Sequence, residues 1–180
     1  MDDLAGILTL LGLVVLAVPV LLIVALVKIG GEAVDALLDA LYYGTVRARM
    51  QAAAALAWLK DERALAALTE ALRDPDPQVR VQAAFALGWI GDKEAVEPLL
   101  DTLYDEVAEV RMQAAAALGW IGDPCAIEGL IELVHDEDDW VTYSAVEALT
   151  NVDDVRAIAP LMLVSRGAVF RVREAARSVL

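Results

Sequence analysis

The chain has 180 residues, 59% of them apolar, and a mean hydropathy of +0.56. That length fits one domain plus an appendage, and so apolar a composition excludes an ordinary fully solvated protein: part of the chain must lie in lipid or against another protein. A net charge of −14, from 14 basic and 28 acidic residues, excludes nucleic acid as a partner and excludes docking of the body onto anionic headgroups, since both need clustered Lys and Arg.

The first element runs from Leu4 to Val27 without a charge. As a helix it spans ~36 Å, more than the ~30 Å hydrocarbon core, so it crosses with some tilt. A secretory signal peptide would need a basic start and a small-residue cleavage site, whereas Asp2 and Asp3 precede this run. Residues 1–30 are therefore expected to form a transmembrane anchor. Lys28, Arg47 and Arg49 lie on its C-terminal side, so the positive-inside tendency predicts a single-pass protein of the cell membrane, with the N-terminus outside and the body in the cytoplasm. Ala5, Gly6, Thr9 and Gly12 offer small residues for packing against another membrane helix, although glycine is common in such helices anyway.

An amphipathic helix near Glu32–Tyr43 is expected to cap the N-terminal end of the body, giving a 31–43 capping element. Beyond it the chain repeats. Trp58, Trp89 and Trp120 are 31 residues apart, as are Gln51, Gln82 and Gln113. Arg49, Arg80 and Arg111 keep the interval, which reaches Arg173 after skipping Thr142. Each unit reads as two helices. The first covers about Val79 to Ile90 and ends at Gly91, and the second covers Lys93 to Tyr104 with Asp92 as its N-cap. The units are 44–73, 74–104, 105–135 and 136–164, with a half repeat at 165–180. Hairpins of this kind bury their apolar faces only by stacking, so the predicted fold is all-α: a transmembrane helix, then an α-solenoid over 44–180.

The pattern VRxxAAxALGxIGDxxAxxxL resembles the short HEAT-like repeats named after phycobilisome lyases, over roughly residues 44–180. The fourth unit departs from it, with Thr142, Thr150 and Asn151 where Arg, Gly and Trp stand elsewhere. The resemblance implies a binding scaffold. It also brings in the family's catalytic members, bilin lyases and a di-iron hydroxylase of deoxyhypusine.

On a wheel of the first helix, Val79, Ala83, Leu87 and Ile90 form the core face, and Arg80, Ala84 and Gly88 a line suited to close packing. A third line reads Gln78, Gln82, Phe85, Trp89 in the second unit. It reads Arg47, Gln51, Ala54, Trp58 in the first, Glu109, Gln113, Ala116, Trp120 in the third, and Trp140, Ser144, Glu147, Asn151 in the fourth. In proteins resembling this one that line faces the concave surface. It would carry a tryptophan ladder at the ~10 Å spacing of packed helices, edged by Met50, Val81, Met112 and Tyr143. Aromatic and Met side chains anchor interfaces, so the partner-binding residues are expected to be Trp58, Trp89, Trp120, Trp140, Gln51, Gln82, Gln113, Phe85, Met112 and Tyr143. The competing reading is that the indoles fill gaps between alanine-rich helices; their solvent accessibility decides.

Arg49, Arg80, Arg111 and Arg173 invite an anion-binding role, but their fixed register favours structural bonds between stacked units. The run Asp136–Asp139 reads as a solvated, capping turn rather than a cation site. One histidine, His135, cannot supply a di-iron ligand set. Cys125 begins a helix, where a thiolate gains stability, yet a packed or idle thiol is the simpler reading; as the single cysteine it also excludes an intramolecular disulfide. No phosphate loop, HExxH or nucleophile elbow is present. The expectation is a non-enzymatic scaffold without metal or cofactor, an accessory or assembly subunit whose partner is a protein of a membrane complex. The alternatives are a lyase or chaperone attaching a tetrapyrrole-type chromophore, or a self-assembling element suggested by the apolar Val179–Leu180 end.

Overall fold

Alanine has the highest helix propensity, and the stretch Val46–Leu59 is rich in alanine and in other strong formers such as Leu, Met, Arg and Gln; it is helical throughout. The computed structural model describes residues 31–59, 61–152, 154–158 and 161–162. Its helices are α1 (Gly31–Tyr43), α2 (Val46–Leu59), α3 (Glu62–Ala71), α4 (Pro77–Ile90), α5 (Val96–Thr102), α6 (Ala108–Ile121), α7 (Ile127–Leu133) and α8 (Asp139–Asn151). Among the described residues there is no strand, and no helix is long and apolar enough to cross a membrane. The Leu4–Val27 segment, with Ala5, Gly6, Thr9 and Gly12, lies outside the described residues, as do Arg173 and the half repeat 165–180.

Local chemistry sets the hairpins. Asp76 precedes Pro77 and accepts the Gln78 N–H, so α4 starts with an N-cap and a proline at N1. The helices α4 and α6 end at Gly91 and Gly122, both left-handed with φ of 75° and 68°, whose N–H groups donate to the Leu87 and Leu118 carbonyls. Asp61, Asp92, Asp123 and Asp154 then cap the second helices, each accepting the N–H two residues on. The second helices are shorter than the expected Lys93–Tyr104. Lys93–Ala95 is a 3-10 turn, α5 covers only Val96–Thr102, and Leu103 and Tyr104 belong to the next turn. Pro98 sits in the first turn of α5, where its missing N–H is not required.

One continuous core runs through the stack, with Val79, Ala83 and Leu87 of α4, Leu99 of α5, Ala114 and Leu118 of α6 and Leu130 of α7 fully buried. Successive first helices (α2, α4, α6, α8) lie in direct contact, and each second helix packs on the first helix of the next hairpin. The first helices meet through their smallest residues. A Cβ built on Gly88 would fall 2.7 Å from Ala117 Cα, and one on Gly119 2.7 Å from Ala148 Cα, so only glycine permits this approach. Successive second helices touch less, one contact being Gly129 of α7 against the Leu100 side chain of α5. The first-helix layer is thus the more closely packed of the two, the arrangement expected of the inner side of a curved stack.

Candidate interaction surface

The solvent-facing line of each first helix carries the large side chains. Trp58 is 66% exposed, Trp89 46%, Trp120 48% and Trp140 57%, while the core of the same helices is sealed. The rings are much closer than the spacing expected of a ladder. Trp58 and Trp89 have centroids 5.2 Å apart at 53°. Phe85 stacks on Trp89 at 6.4 Å and 11°, and meets Trp120 edge-on at 5.5 Å and 87°. The reason is that the side chains lean across to the preceding helix: a Cβ on Gly88 would lie 2.8 Å from Trp120 Cε3, so the indole occupies the space that glycine leaves. Four rings from three hairpins thus form one strip instead of separated rungs. Such pairs contribute about 0.5–1.5 kcal/mol each beyond area burial.

The remaining expected residues divide. Gln51 is exposed, and Gln82, Phe85, Met112 and Tyr143 are half-buried. Gln113 is also half-buried, and its Nε2 is shielded with no hydrogen-bond partner. Trp140 and Tyr143 form their own edge-on pair at 6.4 Å, near Met112. Two positions differ from expectation. Val81 is buried at 8% exposure and does not edge the strip. Ser144 turns inward, its hydroxyl donating to the Met112 carbonyl at 2.9 Å, which satisfies a polar group that burial would otherwise penalise. Ala108, Glu109, Met112, Asp138 and Trp140 line an open, mainly apolar cleft of about 520 Å³ between the N-terminal ends of α6 and α8.

The arginines lie away from this strip, at the joints. Arg49 Nε and Nη2 donate to Asp74 Oδ2 and Oδ1 at 2.7 and 2.8 Å, and Nη1 to the Gly44 carbonyl at 3.0 Å. Arg111 donates to Asp136 at 2.7 and 2.8 Å and to the Asp105 carbonyl at 2.9 Å. Arg80 Nε lies 2.7 Å from Asp105 Oδ2, its Nη2 donates to Oδ1 at 2.9 Å, and Nη1 reaches the Asp74 carbonyl at 2.9 Å. Each aspartate also accepts a backbone N–H two residues on, from Asp76, Val107 and Asp138. Every clasp therefore joins one hairpin to the first turn of the next. Asp74, Asp105 and Asp136 are themselves 31 residues apart, a register visible in the sequence but hidden when the acidic run is read only as a turn. The Arg111 guanidinium holds the Asp136 carboxyl below the usual carboxylate range, and Asp136 raises Arg111 in turn.

Groups able to do chemistry are occupied or isolated. Of the run Asp136–Asp139, Asp136 is clasped by Arg111 and Asp138 caps α8 through the Trp140 and Val141 N–H groups. Cys125 is exposed, not packed, and hydrogen bonding to Asp123 pushes its thiol up, away from a reactive thiolate. His135 is exposed at the end of the third hairpin. Among the described residues no group of three or more His, Cys, Asp or Glu is placed to hold a metal ion.

The chain is similar to several solved structures. The complex of CpcE and CpcF of phycocyanin lyase from Nostoc sp. PCC7120 is 27% identical, with 81% of this chain and 62% of that chain covered and a TM-score of 0.59. The chain thus spans less than two thirds of that relative's length. A designed armadillo repeat protein in complex with the peptide (KR)4 is 20% identical over 87% of this chain and 88% of that chain, with a TM-score of 0.64, a likeness of fold alone. No curated protein matches the sequence. Residues 48–74 match the PBS lyase HEAT-like repeat, and residues 67–150 and 109–180 match the family described as HEAT repeats. Stacked hairpins, their clasps and these matches agree: the chain belongs to the HEAT-repeat family.

Proposed function

We propose that this protein is a non-catalytic scaffold that holds a protein partner on its inner face, as an accessory or assembly subunit of a membrane-bound complex. The observation that carries the reading is the exposed strip Trp58–Trp89–Phe85–Trp120, because a contiguous aromatic patch on a solvent-facing layer is unfavourable unless something covers it. Residues 4–27 would confine the body to the cytoplasmic side of the cell membrane and raise the effective concentration of a membrane-bound partner. The test is co-purification of the full chain from native membranes, wild type against Trp89→Ala. The variant should lose its partner by about 2 kcal/mol or more of affinity, while its folding stability falls by only about 1–3 kcal/mol, the value of its two lost ring pairs. Partner retention by Trp89→Ala, or a variant that no longer folds, would sink the reading.

A second reading rests on the 27% identity to the complex of CpcE and CpcF of phycocyanin lyase. In it the chain serves chromophore attachment, with a partner chain as in that complex. Pigment co-purifying with the protein, or a covalent adduct on an acceptor mixed with chain and chromophore, would favour it over the first.

A further inference from the structure

The first-helix face is not electrically uniform, and the difference names a partner chemistry. At its N-terminal end the solvent-facing line begins with Arg47 on α2 and Gln78 on α4. From α6 onward, among the described residues, the charges on that line are all acidic, Glu109 of α6 and Glu147 of α8, both exposed; the exposed Asp139 and half-buried Asp138 stand beside it at the start of α8. No compensating cation stands on these two helices. Helix α8 contains no Lys or Arg, and the one arginine of α6, Arg111, is buried in its clasp with Asp136. Within this acidic zone opens the apolar cleft lined by Ala108, Met112 and Trp140 together with Glu109 and Asp138. Among the described residues the Glu109 carboxylate accepts from a neutral donor, the Gln78 Nε2 at 2.9 Å. The cleft opens on the same line of α6 that carries Trp120, about three turns away.

From this we infer that the partner presents an extended segment in which one aliphatic or aromatic side chain fills the Ala108–Met112–Trp140 cleft while flanking Arg or Lys side chains meet Glu109, Asp138, Asp139 and Glu147. The aromatic strip extends the site for cations too, because an indole face attracts a guanidinium. An acidic or neutral segment finds no complement here: carboxylates facing carboxylates repel, and nothing on α6 or α8 offsets it. This assignment rests on the scaffold reading and specifies whom the scaffold holds.

The test uses the full chain in neutral detergent and three labelled synthetic peptides. One repeats arginine, serine and leucine; one has glutamate in place of arginine; one has serine in place of leucine. The arginine–leucine peptide should bind, weaken as salt is raised, and weaken about tenfold against Glu109→Gln/Glu147→Gln, two exposed positions whose change leaves the core untouched. Trp140→Ala should remove the advantage of leucine over serine. Equal binding of the glutamate peptide, absence of binding by the arginine–leucine peptide, or indifference to the double variant overturns the inference. If the native partner is nevertheless lost from Trp89→Ala while the double variant keeps it, the scaffold reading stands and only this partner chemistry falls.

Discussion

Arg111 aims two parallel N–H groups at one carboxylate and its remaining amino group at the carbonyl of the preceding turn, so all three directions of the planar guanidinium are used. Both partners are largely shielded, with side-chain exposures of 11% and 9%. Removing the arginine strands Asp136, so Arg111→Ala should destabilise the folded body by about 3 kcal/mol, between a lost charge-assisted bond and a stranded buried charge. Thermal or denaturant melts read this directly. The same clasp makes stability pH-dependent with a definite sign. Because the folded-state carboxyl of Asp136 is depressed, the unfolded chain takes up its proton first on acidification. The contribution is complete above the ordinary aspartate value of about 3.9 and disappears as pH falls through the lower folded value. Melts taken from about pH 5 down to about pH 2 should therefore fall less steeply for Arg111→Gln than for the wild type. Asp61 and Asp154, depressed by their hydrogen bonds with Arg63 and Arg156, keep the variant's profile from becoming flat.

Helix pairing depends on what is missing from α4 and α6. The first hairpin manages with Ala57 where α4 has Gly88 and α6 has Gly119. At Gly88, however, a methyl group would meet both the Ala117 Cα and the Trp120 ring. Gly88→Ala gains about 1 kcal/mol of helix propensity and incurs about 1–3 kcal/mol of overpacking, so a net loss of about 1 kcal/mol is expected. It should also displace the Trp120 indole and change its fluorescence, which Gly91→Ala, facing open space, should not. These elements are partly legible in the sequence. The 31-residue register of Arg, Gln and Trp places the first helices, and Gly91 and Gly122 mark where α4 and α6 stop, because their chemistry is local to the chain. The distance between rings is not legible. Periodicity sets which face a side chain leaves from, but its tilt onto the neighbouring helix depends on a glycine contributed by another hairpin. Val81 and Ser144 depart from expectation for a related reason: a wheel orders residues around one axis and says nothing of how far the next helix wraps round it.

In the whole molecule, order is carried from neighbour to neighbour, and among the described residues the fourth hairpin is the one least firmly tied. Thr142 stands where the other hairpins have arginine, and its hydroxyl keeps only the carbonyl contact, to Asp136 at 3.3 Å. Helix α8 also closes on Val152, in extended backbone, without the left-handed glycine of α4 and α6. Since repeat stability is roughly a sum of unit and interface terms, amides of α8 should exchange with solvent faster than those of α4, a gradient that hydrogen-exchange measurements would resolve. The clasps have a further consequence for how the protein is made. Each arginine finds its carboxylate 25 residues further along the chain. A ribosome adding ~5–20 residues per second delivers that carboxylate about 1–5 seconds after the arginine. During synthesis each of the first three hairpins therefore carries an uncompensated cation at its open end until its successor supplies the carboxylate.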